Sequence, residues 1–104
     1  MAREIYRQGD LLFVKVDRLP KKVNRRVRDG IIKRGELGHT HRLIGGELVE
    51  CWVYGTGVMR FIVVESVAKI VHEEHGEIVL GKGIWTIVRQ REYSLLKRFE
   101  YVVE

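Results

Sequence analysis

The chain has 104 residues, the usual length of one domain, so we expect a single β domain over residues 1–104. Its 45% hydrophobic and 32% charged residues exclude a disordered chain, and no apolar run approaches the roughly 20 residues of a membrane-spanning helix. Charges follow Met1 where a secretory signal needs an apolar core, and the single cysteine, Cys51, excludes an intramolecular disulfide. We therefore expect a cytoplasmic protein with no membrane partner and a buried, inert thiol.

The formal net charge of +5 is unevenly distributed, because basic residues crowd one early segment. Leu19-Pro20 breaks the preceding strand, so we expect a basic exposed loop at about 18–34. Such a cluster attracts polyanions, and nucleic acid is the candidate partner. A solvated loop without a partner is the alternative. The candidate nucleic-acid-binding residues are Lys21, Lys22, Arg25, Arg26 and Arg28.

In chain order, short β-rich segments alternate with turn residues. A turn-like tetrad at residues 7–10 precedes the first predicted strand, and Asp29-Gly30, Gly45-Gly46 and Gly81-Lys82-Gly83 are predicted turns. No segment has helical periodicity over 10 residues. The predicted strands cover residues 11–17, 31–36, 47–54, 58–65, 68–72, 77–80, 84–93 and 99–103.

Many short strands separated by glycine-rich turns predict an all-β fold. Closure would also remove exposed sheet edges rich in Val and Ile, which are templates for aggregation. We therefore expect a small barrel or a jelly-roll-like antiparallel sandwich.

All four histidines lie in two clusters, the pair His39 and His41 and the pair His72 and His75. Alternate residues of a strand share a face, so the first pair can approach one ion. We expect the two clusters to converge, with Glu92 as a nearby carboxylate. The four histidines are candidate metal ligands for Zn, Fe, Ni or Mn, and with Glu92 they are the candidate catalytic residues.

A metal-free version of this site would use one histidine as general base. Arg42, Arg89 or Arg91 would then stabilise negative charge, as in phosphodiester cleavage. Glu73 and Glu74 are further candidate carboxylates, although strand geometry would point them to opposite faces. Unrelated surface histidines are the alternative to any shared site.

Three motifs carry a resemblance that spans nearly the whole chain: Gly38-His39-x-His41-Arg42, His72-Glu73-Glu74-His75-Gly76 and Arg89-Gln90-Arg91-Glu92-Tyr93. In these the chain resembles a family of small uncharacterised prokaryotic proteins, a resemblance that implies no reaction. The pair His39 and His41 is also loosely similar to the HxH of cupins, with Glu47 in the place of their glutamate. The cupin likeness implies a β-barrel architecture.

A basic nucleic-acid-binding β module without catalysis is the main alternative function. The basic segment would contact phosphates, while an aromatic side chain stacks on bases. The candidate aromatics are Trp52, Tyr54, Trp85 and Tyr93. A third interpretation is a homodimer in which the histidine clusters pack at a subunit interface.

Overall fold

The structure is a computed structural model that describes residues 4–34, 40–53 and 57–89. Those ranges contain eight β-strands and no helix, which confirms the predicted all-β class. It follows that no helix long and apolar enough to cross a membrane occurs among them. The strands are β1 (Ile5–Gln8), β2 (Leu11–Val16), β3 (Val23–Val27), β4 (Ile31–Arg34), β5 (Thr40–Ile44), β6 (Glu47–Val53), β7 (Gly57–Val71) and β8 (Ile78–Arg89).

All the strands belong to one antiparallel, branched sheet. The main path runs β1-β2-β8-β7-β5-β4, and β6 joins β7 and carries β3 on its other edge. The first half of β7 pairs with β6 and its second half with β5, while β8 accompanies it along most of its length. β7 is therefore the strand that connects the two halves of the molecule.

A β-bulge bends the β7–β8 hairpin at its middle. Glu65 and Ser66 on β7 oppose the single residue Lys82, between the pairs Val64↔Gly83 and Val67↔Gly81. An extra residue on one strand bends that strand and increases its twist. Gly83 has a backbone φ of 143°, which residues other than glycine rarely adopt. The turn predicted at residues 81–83 is thus wrong, because these glycines mark a bulge inside a continuous strand.

The central strands bury both of their faces. One face holds the larger cluster, which includes Phe13, Ile62 and Trp85, and the other holds a cluster that includes Phe61 and Cys51. These five side chains are fully buried. Adjacent residues such as Phe61 and Ile62 enter different clusters because successive strand residues point to opposite faces.

The described strands do not form the closed barrel that was one of the two predicted architectures. β1 and β4 are the ends of the main path, and no pairing joins them within the described ranges. The bent, branched sheet covers both faces of its central strands instead, which is compatible with a sandwich or jelly-roll-like architecture.

The predicted exposed loop at 18–34 is wrong for β3 and β4. β3 pairs with β6 from Val23↔Cys51 to Val27↔Leu48. Its valines are half-buried, while Arg25 and Arg26 form ion pairs with Glu50 and Glu47 of β6. Cross-strand pairs of opposite charge favour strand pairing, so the basic residues form part of the sheet and remain exposed on it.

Candidate functional site

His41 is a buried polar residue of β5. Its neighbours Thr40 and Arg42 are more exposed, whereas His41 is only 6% exposed and points inward with Leu43. This alternation is the one expected of a strand with a single buried face. His39, its predicted partner, lies outside the described residues.

Gln8 holds His41 in one tautomer. The Gln8 side chain is 2% exposed, and its Nε2 donates to the carbonyl oxygens of Ile70 (3.0 Å) and Gly76 (2.9 Å). Its amide orientation is thereby set, and its Oε1, 2.8 Å from His41 Nδ1, accepts the hydrogen bond between them. In the neutral ring the proton is therefore on Nδ1 and the lone pair is on Nε2, as for a metal ligand or a proton acceptor.

His72 follows the last residue of β7 and has the opposite tautomer. Its Nδ1 accepts hydrogen bonds from the backbone N–H groups of Glu74 (3.0 Å) and His75 (3.3 Å). These two bonds shape the turn between β7 and β8 and require a lone pair on Nδ1. The neutral His72 ring consequently has its proton on Nε2, where it can only donate.

The three described histidine rings lie together. The His72 ring centroid is 4.4 Å from that of His41 and 4.6 Å from that of His75, and the His41 and His75 centroids are 6.2 Å apart in nearly parallel planes. The predicted convergence is therefore confirmed for these three histidines. His75 is exposed and His72 half-buried, so the cluster extends from the core to the surface.

Gly9 makes room for the cluster. It has a φ of 60° in the tight turn between β1 and β2, and a Cβ added there would lie 2.9 Å from His75 Nε2 and 3.5 Å from His41 Cε1. The backbone of this turn thus packs directly against two imidazole rings. Sequence reasoning missed Gln8 and Gly9, since a turn-like tetrad gives no indication of what its side chains meet.

Of the candidate carboxylates, Glu73 makes a described contact with β5. Glu73 accepts a hydrogen bond from the Thr40 backbone N–H (2.9 Å), which ties the turn after β7 to β5. Glu92 lies outside the described residues. Within the described ranges no group of three or more His, Cys, Asp or Glu side chains is arranged to hold a metal ion.

A cleft of about 220 Å³ opens beside His72. The exposed Arg42 supplies a positive charge there, and Glu73 supplies a tethered negative one. A small molecule in this cleft therefore meets a cation, a carboxylate and an imidazole together. The lining residues are Thr40, Arg42, Val71, His72 and Glu73.

The residues predicted to bind nucleic acid lie on and beside β3, which pairs with β6 and not with the strand that carries His41. All five of those basic residues are exposed. Of the predicted stacking residues, Trp52 is 58% exposed and Trp85 is fully buried, whereas Tyr54 and Tyr93 lie outside the described residues.

Cys51 is fully buried on β6, as predicted. Burial raises the pKa of its thiol, because the surrounding apolar side chains disfavour the charged thiolate. A neutral buried thiol is a poor nucleophile and metal ligand, so Cys51 is part of the core and not of the site.

Comparison with protein families finds a match over most of the chain. A family model described as a domain of unknown function, DUF8820, matches residues 7–90. The matched range includes Gln8, His41, His72 and His75. No curated protein and no solved structure shows significant similarity to the chain.

Proposed function

We propose a function from the site itself, because this chain belongs to the DUF8820 family, a domain of unknown function. His41, His72 and His75 form an acid–base site that acts on a small anionic ester, such as a phosphodiester, without requiring a metal ion. The observation that supports this most is the pair of backbone N–H donors on His72 Nδ1. They leave a proton on Nε2 of an imidazole that lines a cleft together with Arg42.

Each residue has a separate role in this reaction. Arg42 binds the anionic group by its charge, and His72 Nε2–H donates to an oxygen on which negative charge develops. The exposed His75 takes a proton from the attacking water as the oxygen–phosphorus bond forms. The ester P–O bond breaks on the opposite side of phosphorus, the leaving oxygen takes a proton from solvent, and His75 then gives its proton back to solvent.

His41 and Glu73 position the reacting groups. His41 is too deeply buried to meet a bulky substrate, but its ring lies against both other imidazoles and is itself held by Gln8. Glu73 binds the Thr40 N–H and so keeps the turn that carries His72 beside β5. A preorganised site of this kind requires little rearrangement during the reaction.

A metal-dependent version with Zn, Fe, Ni or Mn is the second candidate. The hydrogen bond from His41 Nδ1–H to Gln8 suits a ligand that binds through Nε2. His72 does not fit in the same way, since Nε2 coordination requires the proton on Nδ1, where two N–H groups already donate. The described contacts therefore favour the metal-independent reaction.

Hydrolysis of bis(p-nitrophenyl) phosphate, measured with EDTA present, tests the proposal. We expect turnover by the wild-type chain and loss of it in His72→Asn and His75→Ala. The asparagine side chain in His72→Asn keeps an acceptor for the turn N–H groups but has no equivalent of Nε2–H, so folding and chemistry are separated. Arg42→Ala should raise KM more than it lowers kcat, since Arg42 binds the anionic group.

Lys82→Ala is the matched control, because Lys82 is an exposed cation outside the cleft. Its activity should equal that of the wild type. Activity that appears only after Zn²⁺ or Mn²⁺ is added would establish the metal-dependent version. An absence of turnover, together with histidine NMR resonances that do not shift when phosphate is added, would refute an anion-directed histidine site.

A further inference from the structure

Trp52 belongs to a second surface at the other end of β7 from the histidine cluster. It pairs across the β6–β7 hairpin with Val58, and the two side chains are 58% and 62% exposed. β7 begins at Gly57 beside Trp52 and ends at Val71 beside His72. The 15 residues of β7 thus separate the two surfaces along the strand, and none of the residues that line the cleft beside His72 lies on the β6–β7 hairpin near Trp52.

The Trp52 indole is exposed on a backbone that is fixed in place. Its backbone N–H donates to Asn24 Oδ1 of β3 over 2.6 Å. The other tryptophan, Trp85, is fully buried and donates from Nε1 to the Gly81 carbonyl. Of these two rings only that of Trp52 offers a face to a ligand.

Exposed cations lie on β3 and just before it, and β3 pairs with the strand that carries Trp52. Arg25 is opposite Glu50, which precedes Trp52 by two residues on β6, so the three side chains share a face of the sheet. The Arg25 side chain is 68% exposed and lies 3.5 Å from the Glu50 carboxylate. Lys22 is exposed just before β3, and in the described part of the chain it forms no ion pair.

We propose that this surface binds single-stranded nucleic acid. One base stacks on the Trp52 indole while Lys22 and Arg25 contact the neighbouring phosphates, the combination by which β-sheet surfaces hold single strands. Contacts of this type do not read base edges, so binding should depend little on sequence. A duplex keeps its bases stacked inside and offers none to the indole, so single strands should bind more tightly than duplexes.

Fluorescence titration of the full chain with oligothymidylate tests the proposal directly. Bound bases should quench Trp52, while the buried Trp85 gives a constant background. In Trp52→Leu the quench should disappear, and affinity measured with a dye-labelled oligonucleotide should fall about 10-fold or more. Trp52→Tyr should restore most of the affinity, because tyrosine also stacks.

Charge variants separate phosphate contact from stacking. Lys22→Ala and Arg25→Ala should each reduce the slope of log affinity against log salt by about 0.7, the contribution of one phosphate contact on a single strand. Glu50→Gln should tighten binding, since it removes the carboxylate that competes for Arg25. Lys82→Ala is the matched control on β8, and His72→Asn should bind as the wild type does, which makes the result independent of the acid–base site.

Three outcomes would overturn the proposal. The first is equal affinity of Trp52→Leu and wild type, and the second is equal affinity for duplex and single strand. The third is a change in Trp52 emission that follows protein concentration without oligonucleotide, which would identify the surface as an interface between copies of this chain.

Discussion

Replacing Gln8 with leucine tests whether the Gln8 hydrogen bonds hold the histidine cluster together. The substitution removes the two bonds to the carbonyls of Ile70 and Gly76 and the bond with His41 Nδ1. A buried hydrogen bond contributes about 1 kcal/mol net, so we expect the free energy of unfolding to fall by about 3 kcal/mol. Leucine has a similar volume, so little of this loss should come from a cavity.

Urea denaturation followed by far-UV circular dichroism measures this loss. Thr86→Val is the matched control, because Thr86 is also fully buried and its Oγ1 makes one hydrogen bond, to the Arg60 carbonyl at 3.1 Å. Its expected cost is about 1 kcal/mol. For a domain of this size the Gln8→Leu difference corresponds to a fall in Tm of about 12 °C or more.

Histidine NMR adds a readout that stability alone does not give. In the wild type the neutral His41 ring should carry its proton on Nδ1, and in Gln8→Leu it should exchange between both tautomers. The reasoning is refuted if Gln8→Leu costs no more than Thr86→Val, or if the tautomer of His41 does not change.

Three further predictions concern Gly9 and Cys51. Gly9→Ala should lower the free energy of unfolding by about 1 to 2 kcal/mol, because Gly9 has a positive φ and a methyl group would lie 2.9 Å from His75 Nε2. Gly81→Ala is its control in thermal denaturation, since an added Cβ meets nothing within 4 Å, and an equal loss in both variants would contradict the steric argument. Cys51 should react with a thiol reagent only as fast as the chain unfolds, and rapid reaction in native buffer would contradict its burial. Burial raises the pKa of this thiol, so above the ordinary thiol pKa the folded chain keeps a proton that the unfolded chain loses. The free energy of unfolding should therefore fall as pH rises above that value. In urea titrations, Cys51→Ala should lack this part of the pH dependence.

The amino-acid sequence by itself determined the class of fold and many of the turns. Alternation of apolar and polar residues is a local signal, and it predicted the strand that begins at Leu11. Richness in β-forming residues is also local, and it predicted the strand that begins at Glu47. Gly30 and Gly45 have positive φ angles at predicted turns, as their place between apolar segments indicated. Each of these features depends on residues adjacent in the chain.

Pairing between distant segments decided the features that sequence reasoning missed. Gly81 and Gly83 have the sequence character of a turn, yet β7 and β8 continue past them, because pairing along both strands absorbs the irregularity as a bulge. Val23–Val27 lacks a strong strand pattern, and it is a strand because it pairs with the edge of β6. Local propensity cannot report a partner that lies elsewhere in the chain.

In the candidate site, too, the sequence indicated which residues matter and the tertiary structure determined how they are arranged. The sequence identified histidines in two clusters, and only the tertiary structure placed His41 beside His72 and His75. The tertiary structure also places Gln8, 33 residues before His41 in the chain, where its side chain fixes the tautomer of the His41 imidazole. A tautomer depends on which donor or acceptor faces each ring nitrogen, and that is set by the packing of β1, β5 and the turn after β7 rather than by any motif.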